Sequence, residues 1–135
     1  MPAVDAHLET PATRASRLRL GRFLVGMGLL HFVVRKPFEA IIPKQLGAPR
    51  FWNLFAGVAE ATSGALLLST DPQMRRAGGA LATATIIGVY PANIQMAIDA
   101  GRPRSVATTL PWLRLPLQLP MIRMAWRHAR GPAAA

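Results

Sequence analysis

Apolar residues fall in four blocks along the chain, and polar residues collect at their borders. The blocks run from about Leu18 to Val34, from Phe51 to Ser69, from Ala77 to Ile98, and from Trp112 to about Trp126. A membrane span needs roughly 17–25 predominantly apolar residues. The second and third blocks meet that need cleanly. The first is short, but Arg19 and Arg22 can lay their aliphatic stems along it and keep their charges at the surface. The fourth is the weakest, because it holds Arg114 and Arg123 and is broken by prolines, Pro111 among them. It is acceptable as a fourth helix packed on three others, where neighbours satisfy the backbone groups that proline frees.

A soluble four-helix bundle would carry a polar stripe on each helix at a 3.6-residue period. Neither "FAGVAEATSGALLLS" nor "AGGALATATIIGVYPANIQMAI" carries a charged stripe. The pattern predicts an all-α integral membrane protein, with four transmembrane helices in an antiparallel bundle over residues 16–130. Residues 1–15 show no hydrophobic period, and residues 131–135 are "GPAAA", so both ends read as disordered tails. A cleaved signal peptide would need a small-x-small site after the first block. "RKPFEA" stands there instead, which favours an uncleaved first span.

The link "RKPFEAIIPKQLGAPR", Arg35 to Arg50, places Phe38, Ile41, Ile42 and Gln45 on one face at helical spacing. It reads as an interfacial segment between helices 1 and 2, apolar side down in the membrane surface.

Composition and charge narrow the class. A chain of 135 residues is one domain; 51% of them are hydrophobic, and there is no cysteine. That excludes disulfides, thiolate metal sites, iron–sulfur ligation and a thiol nucleophile. The formal net charge is +10. Its carriers sit at block borders: Arg14, Arg17, Arg19 and Arg22; Arg35 and Lys36; Arg50; Arg75 and Arg76; Arg102 and Arg104; Arg127 and Arg130. Nucleic-acid binding would instead cluster them on a polar face with stacking aromatics, so no nucleic acid is expected. The partner is a lipid bilayer. The larger share of arginines on the side of the N-terminus orients both termini to the cytoplasm of a bacterial inner membrane.

The candidate chemistry is carried by polar residues inside the blocks. Asn53, Gly57, Glu60 and Gly64 share one helical face in the second block. Small residues there let a neighbouring backbone approach, so Glu60 points into a bundle rather than at lipid. An ionised group at mid-helix costs about 2.5–3.5 kcal/mol on translocon scales, so Glu60 needs a partner or a proton. Gly21, Leu24, Gly28, His31 and Arg35 form a comparable face in the first block, but His31 lies near a helix end and Glu60 near the middle of the next. Pro91 should kink the third block, and Asn93 lies beyond it. In the fourth, Arg114 is the counter-charge expected for Glu60 or Asp99, with Gln118 as its hydrogen-bond companion. The candidate constellation is His31, Glu60, Asn93, Arg114 and Gln118. It is either interhelical glue, at about 0.6 kcal/mol per bond, or a polar pocket for a head group such as a quinone carbonyl.

Specific catalysis finds no footing. Haem would want two axial ligands where the spans offer one histidine. A metal would need three or four convergent ligands where His31 and Glu60 give two. Ser63, His31 and Glu60 lack the nucleophile elbow of a hydrolase. No catalytic residue and no intrinsic cofactor is expected, with a quinone the one open ligand.

The runs "GLLHFVVRKPFEAIIP", "FWNLFAGVAEATSGALLL", "YPANIQMAID" and "RLPLQLPMIRMAWRHAR", in that order, resemble the DoxX-like family of small bacterial four-helix membrane proteins. The resemblance covers about Arg17 to Arg130. It matches His31 in the first helix, Pro37 and Pro43 in the turn, and Gly57 and Glu60 in the second helix. It also matches Pro91 with Asn93, and Arg114, Pro116 and Gln118. Arg35 departs from it, where relatives often have proline. The resemblance implies association with redox complexes of the inner membrane, either quinone-linked or concerned with oxidative stress. The expectation is an accessory or assembly subunit of such a complex, in a homo-oligomer or a larger assembly. The alternative is a stand-alone binding protein or small transporter for a quinone-like or other lipophilic molecule.

Overall fold

A computed structural model describes residues 9–131, and among them the chain is helical with no strand. Helix α1 spans Pro11–Val33. Five residues expected in a disordered tail, 11–15, are its opening turns. The local reason is a helix start that hydrophobic periodicity does not register. Thr10 caps the helix by accepting the Thr13 amide at 3.1 Å, and Pro11 supplies a preset φ where no amide hydrogen is needed. Residues 1–8 and 132–135, the remainder of the two expected tails, lie outside the described residues.

The link to the next long helix is α2, Arg35–Ala40, followed by a single 3-10 turn, Lys44–Leu46. The chain then reverses through Gly47 at φ 61° and Ala48 at φ 42°. Helix α3 spans Pro49–Leu68, and α4 spans Pro72–Gly88, capped by Asp71 on the amides of Gln73 and Met74. Only Val89 separates α4 from α5, Tyr90–Ala100. Pro91 cannot donate an amide hydrogen there, so the expected third span is two helices joined at a break. Helix α6 spans Val106–Arg130 behind a Ser105–Thr108 capping box, and runs on through Pro111, Pro116 and Pro120.

The helices pack α1 on α3, α3 on α4, and α4 on α6, with α5 against α6. Glycines set the closest crossings. A Cβ at Gly28 would lie 2.5 Å from the Ala61 amide nitrogen and 2.7 Å from the Gly57 carbonyl. One at Gly64 would meet the Gly21 carbonyl at 2.6 Å. These contacts run α1 and α3 antiparallel, backbone to backbone, on the two small-residue faces expected from the sequence. Gly79 does the same for α4 and α6, against Ala125, His128 and Ala129.

Two helical stretches are long and apolar enough to cross a membrane: Pro49–Leu68, of mean hydropathy 1.2, and Pro72–Ala100, of mean hydropathy 1.3. They correspond to the second and third expected spans. The other two long helices, α1 and α6, are interrupted by arginines.

One end of the bundle is tied by a polar cluster. Buried Arg17 donates to both carboxylate oxygens of Glu9, at 2.6 and 3.0 Å, and to the Leu67 carbonyl. Arg75 reaches Glu9 at 3.2 Å. The Arg17 hydrogen bonds hold the Glu9 carboxyl below its ordinary range. His128, beside Ser16, is kept below its ordinary range first by burial and then by the Arg17 charge. Arg17 therefore works as a clamp between α1 and α3, where the sequence suggested only a flanking charge.

Candidate functional site

The opposite end of the bundle holds a mostly apolar cavity with a few polar groups, and its construction starts at Gly57. A Cβ there would sit 2.7 Å from the His31 Cβ and 3.0 Å from the Gly28 carbonyl. Because glycine leaves that space, His31 lies directly on α3. Asn53 is one turn before this crossing and Glu60 one turn after it, so the imidazole extends between them. The axial offset that separates His31 from Glu60 in a flat drawing is thereby removed.

The bonds fix the tautomer. The Asn53 Nδ2 donates to the His31 carbonyl at 2.9 Å, which turns Oδ1 toward His31 Nδ1, 2.7 Å away. A carboxamide oxygen only accepts, so Nδ1 carries a hydrogen. His31 Nε2 then faces Glu60 Oε2 at 3.4 Å. The contact is longer than a well-formed hydrogen bond, and Glu60 Oε2 has no aligned partner. The Phe38 ring covers the imidazole, stacked at a centroid distance of 4.0 Å. Asn53, His31 and Glu60 are each more than nine-tenths buried.

This chain forms one wall of a cavity of about 320 Å³. Such a volume would hold on the order of ten waters, and it lies at the lower end of the range for small-molecule sites. Helix α3 contributes Asn53, Ala56, Ala59 and Glu60, and α4 contributes Leu81 and Thr85. Asn93 comes from α5 and Arg114 from α6. Phe38, Ile41 and Ile42 of the link cover it. These three residues, expected from the sequence in an interfacial segment, line the cavity and are half-buried.

Four of the five constellation residues, His31, Glu60, Asn93 and Arg114, line one space. Gln118 does not. Its Nε2 donates to the Ile86 carbonyl at 3.0 Å, near the break before Pro91, while its buried Oε1 has no partner among the described residues. Nor does Arg114 pair with Glu60 or Asp99. The ion pairs among the described residues are Arg17–Glu9, Arg75–Glu9 and His31–Glu60, and Asp99 accepts from Gln95 at 2.8 Å. Two features of the site escaped sequence reasoning. Asn53 lies on the legible face with Glu60, but nothing local marks it as the partner of His31. Thr85 is an ordinary polar residue in an apolar block. No three His, Asp or Glu side chains converge as metal ligands among the described residues.

The site belongs to an all-helical bundle with a buried wall of Asn53, His31 and Glu60 and a mostly apolar cavity. A family model described as a domain of unknown function, DUF8561, matches residues 20–129, and the chain belongs to that family. The match takes in every cavity residue. No curated protein and no solved structure matches the chain.

Proposed function

We propose that this chain is a four-span membrane protein whose cavity binds the head of a small lipophilic molecule. The cavity walled by His31, Glu60, Asn93 and Arg114 carries the reading. Its polar groups sit at one side of apolar walls, as a site for an oxygen-bearing head on a hydrocarbon body would require.

Membrane insertion is supported by an inverted burial pattern. Among the described residues seven apolar side chains are buried, against nine polar or charged ones. Large apolar side chains such as Phe23, Phe32, Phe55, Ile87, Leu113 and Leu117 are exposed around the bundle. In water that surface would be a severe aggregation liability; in lipid it is the favoured one. Antiparallel packing gathers Arg14, Arg19, Arg22, Arg75, Arg76, Arg123, Arg127 and Arg130 toward one end. By the positive-inside bias this supports a topology with both termini in the cytoplasm of a bacterial inner membrane. Reporters fused to each terminus test this, and an N-terminus on the outer side would reverse it.

The matched family carries no assigned activity, so the DoxX-like resemblance and the accessory-subunit role in a redox complex rest on motif order. The cavity favours the binding protein of the two readings, with a quinone-like carbonyl among its candidate heads. The test compares the wild type with Ala59→Leu in neutral-lipid discs, using a neutral fluorophore such as 1-aminoanthracene. The wild type should show a saturable component, competed by a naphthoquinone and lost in Ala59→Leu. Identical, non-saturable partitioning in both proteins would refute a binding cavity.

A further inference from the structure

Glu60 and Arg114 line the same cavity without pairing. Glu60 Oε2 instead faces His31 Nε2 at 3.4 Å. Arg114 lines the same space and has no carboxylate within ion-pair distance among the described residues. It stands two residues past Trp112, where the fourth apolar block begins, and it is exposed rather than buried, so its guanidinium is open to a guest. Asn93 supplies a second, independent sign. It is 5% exposed and lines the cavity; its main-chain amide bonds the Val89 carbonyl, and its carboxamide makes no hydrogen bond within the described residues. Its carboxamide atoms are reached from the cavity rather than sealed in the protein, so they are open to a hydrogen bond from a guest there.

We infer that the cavity selects a lipophilic anion, with a carboxylate or comparable monoanionic head held between the Arg114 guanidinium and the Asn93 amide. This rests on the binding-protein reading above and names the ligand class for it. A guanidinium matches a carboxylate through two parallel N–H donors, and Asn93 Nδ2 adds a third. The Glu60 carboxyl on the opposing wall faces His31 and lies outside ion-pair distance of Arg114. A neutral carbonyl would leave the Arg114 charge without compensation. The cavity volume suits a head and a short stretch of chain, with the remaining tail passing out among the exposed apolar side chains.

The test measures saturable binding of radiolabelled dodecanoate and of 1-dodecanol to the full chain in phosphatidylcholine discs, with Ala59→Leu as the background. Dodecanoate should bind at least about tenfold more tightly than the alcohol. Arg114→Gln should remove that preference while leaving alcohol binding in place, and Arg114→Lys should keep part of it. Adding an anionic phospholipid to the disc distinguishes the source of the anion. Competition assigns the site to a lipid head group, and unchanged binding assigns it to a free acid. Equal affinity for acid and alcohol, unaltered in Arg114→Gln, overturns the anionic head and leaves the binding cavity standing. Saturable binding of neither compound, together with no saturable fluorophore binding, overturns the reading beneath it.

Discussion

Adding one methyl group at Gly57 should damage this protein more than adding the same group at Gly26. Both are helical glycines, and glycine-to-alanine in an open helix position normally stabilises by about 0.4–1 kcal/mol. At Gly26 nothing lies within 4 Å of the new Cβ, so that gain should be seen. At Gly57 the Cβ would fall 2.7 Å from the His31 Cβ, 3.0 Å from the Gly28 carbonyl and 3.1 Å from the Phe32 ring. Carbon–carbon contact needs about 3.5–4.0 Å, so α1 and α3 must separate by roughly 1 Å. Overpacking of this kind costs about 1–3 kcal/mol. The separation also stretches the two Asn53–His31 hydrogen bonds, each worth about 1 kcal/mol. The measurement is detergent-titrated unfolding of both variants in mixed micelles. Gly57→Ala should be the less stable by at least about 1 kcal/mol, the low end of the overpacking cost, because the gain from replacing glycine is common to both variants. Stabilities within about 0.5 kcal/mol of each other, the usual scatter of a surface substitution, would show that α1 and α3 are not in backbone contact at this crossing.

Other perturbations probe the remaining parts. Asn53→Leu should cost about 1–3 kcal/mol, because the His31 carbonyl and Nδ1–H both lose a buried partner; an unchanged unfolding midpoint would remove Asn53 from the chain of bonds. Gln118→Met should stay within about 1 kcal/mol of the wild type, since it surrenders one hydrogen bond and removes an acceptor that has no partner; a large loss would imply a contact to Oε1. Glu9 has a folded pKa depressed below its ordinary 4.5, so its contribution is present above that pH and is lost as pH falls through the lower folded value. Thermal scans from pH 7 to pH 3 should therefore fall more steeply for the wild type than for Glu9→Gln, whereas parallel curves would mean that the Arg17 contact contributes nothing.

The gain in legibility differed between elements for identifiable reasons. The small-residue faces around Gly28 and Gly57 follow from spacing, because a helix repeats every 3.6 residues whatever surrounds it. The break at Pro91 follows equally locally, from a missing amide hydrogen. The start of α1 was misplaced because a capping threonine and a proline leave no mark on hydrophobic periodicity. Glu9 was hidden in the same stretch, since its two arginine partners lie 8 and 66 residues away.

By itself the sequence determined that the chain is helical, that its blocks present small faces to one another, and that Glu60 lies on such a face between Gly57 and Gly64. It also supplied four of the residues that line the cavity. Tertiary structure alone decided which of these groups meet. The axial register of α1 against α3 is set by glycine contacts and by the link from Val34 to Ala48, and a shift of one turn would have left His31 away from Glu60. The same register gives Asn53 to His31, while the packing of α4 on α6 leaves Gln118 on the Ile86 carbonyl, and Arg114 lines the cavity with no carboxylate in ion-pair distance among the described residues. Residue identity and period are local properties, whereas pairing depends on how far one helix slides along another.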